Sequence, residues 1–284
     1  MNYHTKDIAF FNALTLQVTN LNKSKQYYED IIGLTALNVG EDFVDFTTNG
    51  KDVLLRIEQP QNIKAKNKYA TGIYHFALLL PSRADLANFT NSLISKAVEI
   101  GAANHLVSEA LYLKDPDGVD IEIYADTDPN SRTWEEAMVT MTSDPLDFND
   151  LIKQVNNSAA VKLPEGTIMG HIHMYAKSLE PMLTFYRDAL NFEIVSQFGA
   201  QAAFMSKEKY HHHIAVNTWK GSGAPLPQKD EAGLKSLELR FENEEKRQAQ
   251  IKRLEDYNFE VIKEDQHYTV NDPEGNKIEL TLGV

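Results

Sequence analysis

The stretch "SEALYLKDPDGVDIEIY", Ser108 to Tyr124, places a phenol and a carboxylate on either side of an Asp-Pro-Asp-Gly turn, Tyr112 before it and Glu122 after it. Beyond the turn, Val119, Ile121 and Ile123 alternate with Asp120, Glu122 and Tyr124. A period of two sends the aliphatic residues to one face of a strand and Glu122 to the other. A carboxylate turned into a protein is costly unless it is paired, hydrated or bound to a cation. Two histidines qualify as its company: His75 in "GIYHFALLL" and His171 in "HIHMYAKSL", both on apolar, strand-like runs. Two histidines and one carboxylate on a single face leave up to three coordination positions open, the ligand pattern of non-heme Fe(II) oxygenases. His173 lies two residues beyond His171 on the same strand face and competes for the ligand position.

The elements that must bring these residues together are repeated. Residues 13–34, "ALTLQVTNLNKSKQYYEDIIGL", align without gaps with residues 171–192, "HIHMYAKSLEPMLTFYRDALNF", including the aromatic pairs Tyr27-Tyr28 and Phe185-Tyr186. "GIYHFALLL" from Gly72 matches "GLKSLELRF" from Gly233, and "DPDGVDIEI" from Asp115 matches "DPEGNKIEL" from Asp272. Internal similarity of this kind decides the architecture. The chain reads as four modules at 9–58, 70–126, 167–220 and 232–284, each a strand, an amphipathic helix and three strands. In the second module Leu86, Phe89, Leu93 and Val98 keep helical spacing, and Gly101 is the stop, which predicts a helix over 82–101. In the first, "TALNV", "DFVDFTT" and "DVLLRIE" predict short strands, with a hairpin turn at Asn49-Gly50. Residues 127–166 are polar, contain Pro129, Pro145 and Pro164, and read as a long surface linker in which "DFNDLIKQV" forms a short helix. The expected fold class is α+β, four βαβββ modules pairing into two half-barrel cups. The expected division is 1–126, a linker over 127–166, and 167–284.

The repeat also says which copy is armed. Opposite His171 and His75 it sets Ala13 and Ser236; opposite Tyr112 it sets Thr269; only Glu122 has a like partner, Glu279. If the second module shares a cup with the third, His75, His171 and Glu122 meet. If each half of the chain forms its own cup, the set is split. The first pairing is expected because it completes the triad, and Glu279 is then a solvated carboxylate on a strand kept for folding. The aromatic pairs read as core.

Composition narrows the partners. The 284-residue chain has no cysteine, which removes disulfides, thiolate metal sites and cysteine nucleophiles. A formal net charge of −13 argues against nucleic acid or an anionic membrane as partner. No apolar run approaches the roughly 18 residues of a membrane span. The N-terminus lacks the pattern of a signal peptide, so a cytoplasmic location is expected.

At this point the residues resemble a known family. The βαβββ modules are similar to those of the vicinal oxygen chelate superfamily, which includes glyoxalase I, bleomycin-resistance proteins and extradiol dioxygenases. "HLVSEALYLKDPDGVDIE", His105 to Glu122, resembles the extradiol ring-cleavage signature, departing from it slightly at Ala103. The chain as a whole resembles bacterial catechol 2,3-dioxygenase-like proteins. The resemblance implies His75, His171 and Glu122 as iron ligands, Tyr112 as the hydrogen bond to a substrate oxygen, and His105 as a donor to iron-bound oxygens. It implies an acid/base histidine in "YHHHIAVNTW", where His212 aligns best and His213 is the alternative. His173, His213 and Trp219 are weaker pocket candidates. In many members the active pair is the C-terminal half of the chain; here the armed modules lie in the middle. The implied cofactor is Fe(II), with Mn(II) as alternative. The implied partners are a catechol-type small molecule and O2, without nucleic acid or membrane, and a homo-oligomer remains open. The competing readings are another metal-dependent enzyme of the superfamily, such as a glyoxalase-like lyase or isomerase, and a non-catalytic binding or resistance protein.

Overall fold

The computed structural model describes residues 3–5, 7–158 and 162–283. The first module comprises β1 (Phe10–Gln17), α1 (Leu21–Tyr27), β2 (Thr35–Val39), β3 (Phe43–Thr47) and β4 (Leu55–Glu58). The second comprises β5 (Gly72–Leu79), α2 (Arg83–Ser95), β6 (Gly101–Asn104), β7 (Ser108–Lys114) and β8 (Asp120–Asp126). A short hairpin, β9 (Trp134–Glu135) and β10 (Met138–Val139), and helix α3 (Phe148–Ile152) follow. The third module is β11 (Ile168–Tyr175), α4 (Leu179–Leu183), β12 (Glu193–Phe198), β13 (Ala202–Ser206) and β14 (Ile214–Asn217). The fourth is β15 (Gly233–Phe241), α5 (Glu244–Asp256), β16 (Val261–Glu264), β17 (His267–Asn271) and β18 (Lys277–Leu282). Local chemistry sets the helix starts: the side chains of Asn20, Ser82 and Asn243 each accept the backbone N–H three residues on, relieving an unpaired donor of the first turn.

The strands form two curled eight-stranded sheets. One runs β12-β13-β14-β11-β5-β8-β7-β6, the other β16-β17-β18-β15-β1-β4-β3-β2. The second module therefore shares a sheet with the third, and the first with the fourth. The seams are antiparallel, β5 against β11 and β1 against β15, and their registers are equivalent: His75 faces His173 and Ala77 faces His171, as Ser236 faces Thr15 and Glu238 faces Ala13. Apolar side chains from both sheets and all four modules join in one buried core.

The expected helix over 82–101 ends at Ser95 instead. Leu86, Phe89 and Leu93 are buried as their spacing requires, but the next positions on that face are Lys96 and Ala97. Ala97 leaves helical geometry with φ 52°, and Val98 packs against the core from the turn beyond it. The 127–166 stretch does more than join the halves. Val139, Leu146, Leu151 and Leu163 are buried, and Asn104 bridges to Asp144, tying the stretch to the edge strand β6. No helix among the described residues is long and apolar enough to cross a membrane.

A bulge in β11 falls between Met169 and His171. Gly170 occupies it, and a Cβ there would overlap the hydroxyl of Tyr124, which is bonded to the Tyr210 hydroxyl at 2.7 Å. Gly170→Ala is expected to cost about 1–3 kcal/mol by overpacking. The measurement is the urea midpoint at unchanged slope; a midpoint equal to wild type would refute it.

Candidate active site

Four adjacent strands present one row of side chains at the same level: His171 on β11, Ala77 on β5, Glu122 on β8 and Tyr112 on β7. His75 lies one step along β5, on the same face, opposite His173. The small Ala77 leaves room between His171 and Glu122, and three ligand atoms close over it. His75 Nε2 is 3.3 Å from His171 Nε2 and 3.2 Å from Glu122 Oε2, and His171 Nε2 is 3.3 Å from the same oxygen. All three residues are buried. They form the one group among the described residues whose His, Asp or Glu atoms converge as a metal site requires.

The donor set suits a divalent cation. Ligands at about 2.0–2.2 Å from one ion stand roughly 3 Å apart when they share a face. Burial pushes His171 down to about 4, so near neutral pH it offers a lone pair rather than a proton. Burial alone would raise the Glu122 carboxyl, yet His171 and His75 bonded to it hold it well below the ordinary range. His171 thus offers a lone pair beside an ionised carboxylate. The Nδ1 atoms of His75 and His171 are buried and have no hydrogen-bond partner among the described residues.

His75 and Glu122 line a cavity of about 420 Å3, and His171 lies against them. The cavity wall holds Tyr112 and His105, His173, His212, and an apolar set that includes Phe198, Phe204, Trp219 and Met141. Tyr112 and His105 are coupled, their Oη and Nε2 atoms 2.6 Å apart, and His105 Nδ1 lies 2.6 Å from the carbonyl oxygen of Thr142. That carbonyl can only accept, so His105 Nδ1 carries a proton and the ring is fixed with Nε2 against the Tyr112 hydroxyl. Burial raises the Tyr112 phenol well above its ordinary value and keeps it protonated.

The three consecutive histidines precede strand β14 rather than lying on it. His212 lines the cavity, with its ring centroid 4.0 Å from that of His171. His213 does not, contrary to its expected place in the pocket. Its Nε2 is bonded to the carbonyl oxygen of Tyr3 and its Nδ1 accepts from Lys207 N, because the loop turns the ring into an aromatic cluster with His4, Phe10 and Tyr210. His173 stays outside the converging set, its Nε2 accepting from Asn217 Nδ2 at 2.9 Å. Trp219 stands half-exposed at the mouth. Sequence reasoning missed Ala77, although the repeat sets it against Glu238. It also missed Met141, Thr142 and Ser143, which enter the wall from the supposed linker and carry no periodic signal.

Paired βαβββ modules curled over a buried His, His, Glu set define a class. The model of the Glyoxalase/Bleomycin resistance protein/Dioxygenase superfamily matches residues 10–123 and 168–280, and the chain belongs to that superfamily. The catechol-2,3-dioxygenase of Bacillus subtilis (strain 168) is 36% identical to it over 263 residues, 91% of this chain and 92% of the relative. Biphenyl-2,3-diol 1,2-dioxygenase 2 of Rhodococcus globerulus is 28% identical over 134 residues, 46% of this chain and 68% of that protein. The solved structure of glyoxalase I from Zea mays superposes with a TM-score of 0.59 at 14% identity, covering 99% of this chain and 94% of that one, and so shares the fold.

Proposed function

We propose that this protein is a non-heme Fe(II)-dependent extradiol dioxygenase that opens a catechol-type ring with O2. The observation that carries the reading is the convergence of His75, Glu122 and His171 beside the Tyr112–His105 pair, in a chain 36% identical to a catechol-2,3-dioxygenase. His75, His171 and Glu122 would hold the metal, which supplies a Lewis acid for the diol oxygens and a binding position for O2. The remaining work falls to the chain. The wall of Phe198, Phe204, Trp219 and Met141 receives a flat apolar ring and keeps water from it. His212 accepts a proton from the diol and returns it later. Tyr112, held by His105, presents its oxygen to the substrate at a fixed angle, and His173, pinned by Asn217, packs on the ring's other side.

The test is reconstitution of the metal-free protein with Fe(II) under anaerobic conditions, with Mn(II) in parallel. A panel of catechols and O2 is then added, and the yellow ring-cleavage product is followed by absorbance. Absence of product with stoichiometric metal bound would sink the reading. Tyr112→Phe is expected to lower kcat by about 10²–10³, the usual cost of one preorganised donor, with metal content unchanged. Equal kcat would remove Tyr112 from the mechanism.

A further inference from the structure

Behind His212, on the side away from the cavity, a hydrogen-bonded chain runs outward that metal binding alone does not require. His212 Nδ1 is 2.8 Å from His211 Nδ1, and His211 Nε2 is 2.9 Å from Asp126 Oδ1. Asp126 is itself fixed. The Tyr210 hydroxyl donates to its Oδ1 at 3.2 Å, and Arg132 Nη2 lies 3.3 Å from its Oδ2. The Arg132 guanidinium is held in turn by the carbonyl oxygens of Val107 and Thr127. The polarity of the chain follows from which groups can donate. An ionised carboxylate only accepts, so His211 Nε2 carries a proton. A neutral imidazole has one N–H, so His211 Nδ1 is a lone pair. Facing a lone pair, His212 Nδ1 must be the donor. The one N–H of His212 is then committed, and its Nε2 is a bare lone pair. Among the described residues that Nε2 makes no hydrogen bond, while the ring lines the cavity. Burial of Asp126 is outweighed by His211 and Arg132, which hold its carboxyl below the ordinary range as the acceptor at the end of the chain.

We propose that Asp126 and His211 are positioning residues that hold His212 in the Nδ1–H tautomer, so that its Nε2 faces the substrate as the proton acceptor. The catalytic consequence rests on the dioxygenase reading; the tautomer does not. In the step so prepared, the substrate O–H bond breaks, Nε2–H forms, and the electron pair stays on the substrate oxygen. His212 leaves the step as an imidazolium whose Nδ1–H still points at His211. The three consecutive histidines thus divide their work: His211 orients, His212 acts, and His213 anchors the segment at Tyr3.

The experiment uses the full-length chain, labelled with 15N and free of paramagnetic iron. Long-range 15N–1H spectra of the histidine rings read each tautomer directly. Wild type is expected to show His212 protonated at Nδ1. In Asp126→Asn the side-chain amide can donate to His211 Nε2, which reverses the chain and moves the His212 proton to Nε2. With iron restored, kcat of Asp126→Asn is expected to fall by about 10²–10⁴, with KM and metal content near wild type. Asp126→Glu keeps an acceptor and is expected to recover both the tautomer and most of the rate. A wild-type spectrum with His212 protonated at Nε2 overturns the proposal whatever the activity, and that reading stands even if Asp126→Asn folds poorly. An unchanged kcat in folded Asp126→Asn overturns it as well. Failure of the wild-type protein to cleave any catechol defeats the functional reading alone, because the spectrum decides the tautomer without turnover.

Discussion

Glu122→Ala is expected to abolish metal binding and bring ring cleavage down to background, while Glu279→Ala leaves both as in wild type. The two glutamates occupy equivalent places. Glu122 pairs with Ala77 and Tyr112 across its sheet, and Glu279 pairs with Glu238 and Thr269 across the other. Their surroundings differ. Glu122 has 4% of its side chain exposed and sits 3.2–3.3 Å from two imidazoles. Glu279 has 40% exposed, with Lys277 4.0 Å away. Where the first cup has His171 and His75, the second has Ala13 and Ser236. Its remaining carboxylates are already answered by protein groups. Glu238 accepts from Asn12, Arg240 and Thr281, and Asp45 pairs with Arg56 at 2.6 Å. A cation gains little there, because it would have to displace those donors. The measurement is metal content after dialysis, together with the rise in Tm on adding Fe(II) anaerobically. A ligand at 100 times its Kd stabilises by about 2.7 kcal/mol, and that increment is expected to vanish in Glu122→Ala. Metal retained by Glu122→Ala and lost from Glu279→Ala would mean that the wrong cup has been assigned.

The pairing of the second module with the third was legible because the repeat makes two statements at once. It shows where each strand falls, and it shows which copy has lost its histidines. Ala13, Ser236 and Thr269 are as informative as His171, His75 and Tyr112, since a cup with one ligand of three binds nothing. The registers then follow, because equivalent bulges interrupt both seams, at Asn12 and Gly170 and again at Lys235 and Tyr74. What stayed hidden has a common physical character. The helix end at Ser95 depends on what the next turn would have packed against, and periodicity counts apolar residues without knowing their neighbours. The Met141–Ser143 wall lies in a segment with no period at all, held by β-bridging at Asn104 and by the His105–Thr142 contact. The roles of the three adjacent histidines depend on a loop rather than a strand. Of the three only His212 lines the cavity, and His213, a pocket candidate on sequence, faces the aromatic cluster.

The second turn is kept for a reason that the first also obeys, and Asp272→Ala is expected to expose it by costing about 3–5 kcal/mol of stability without loss of bound metal. Each Asp-Pro-x-Gly turn begins with a buried aspartate that joins neighbouring modules. Asp272 Oδ1 accepts the N–H groups of Glu274 and Asn276, and its Oδ2 accepts from Asn276 Nδ2 and from the Tyr186 hydroxyl at 2.9 Å. Asp115 does the same for Asp117, Val119 and, at 2.9 Å, Tyr28. Both tyrosines come from the wide turns that extend α1 and α4, so each bond fastens a helix of one sheet's module to a strand entry of the other sheet. Removing the carboxylate strands several buried donors at once, each worth about 1–3 kcal/mol when unsatisfied. Asp115→Ala is expected to lose metal as well, because its turn launches β8 and Glu122 with it. Burial pushes both carboxyls up to about 6 from an ordinary 3.8. The folded value exceeds the unfolded one, so folding favours the protonated form. That contribution is full below pH 4 and is lost as pH rises through about 6. Between pH 5 and pH 7 each group should therefore lower stability by about 1 kcal/mol. Asp272→Asn, which cannot ionise, is expected to flatten that slope by one group's share in urea unfolding followed across the range. A slope equal to wild type, or an Asp272→Ala protein within 1 kcal/mol of wild type, would show that the second turn is not the fastening described.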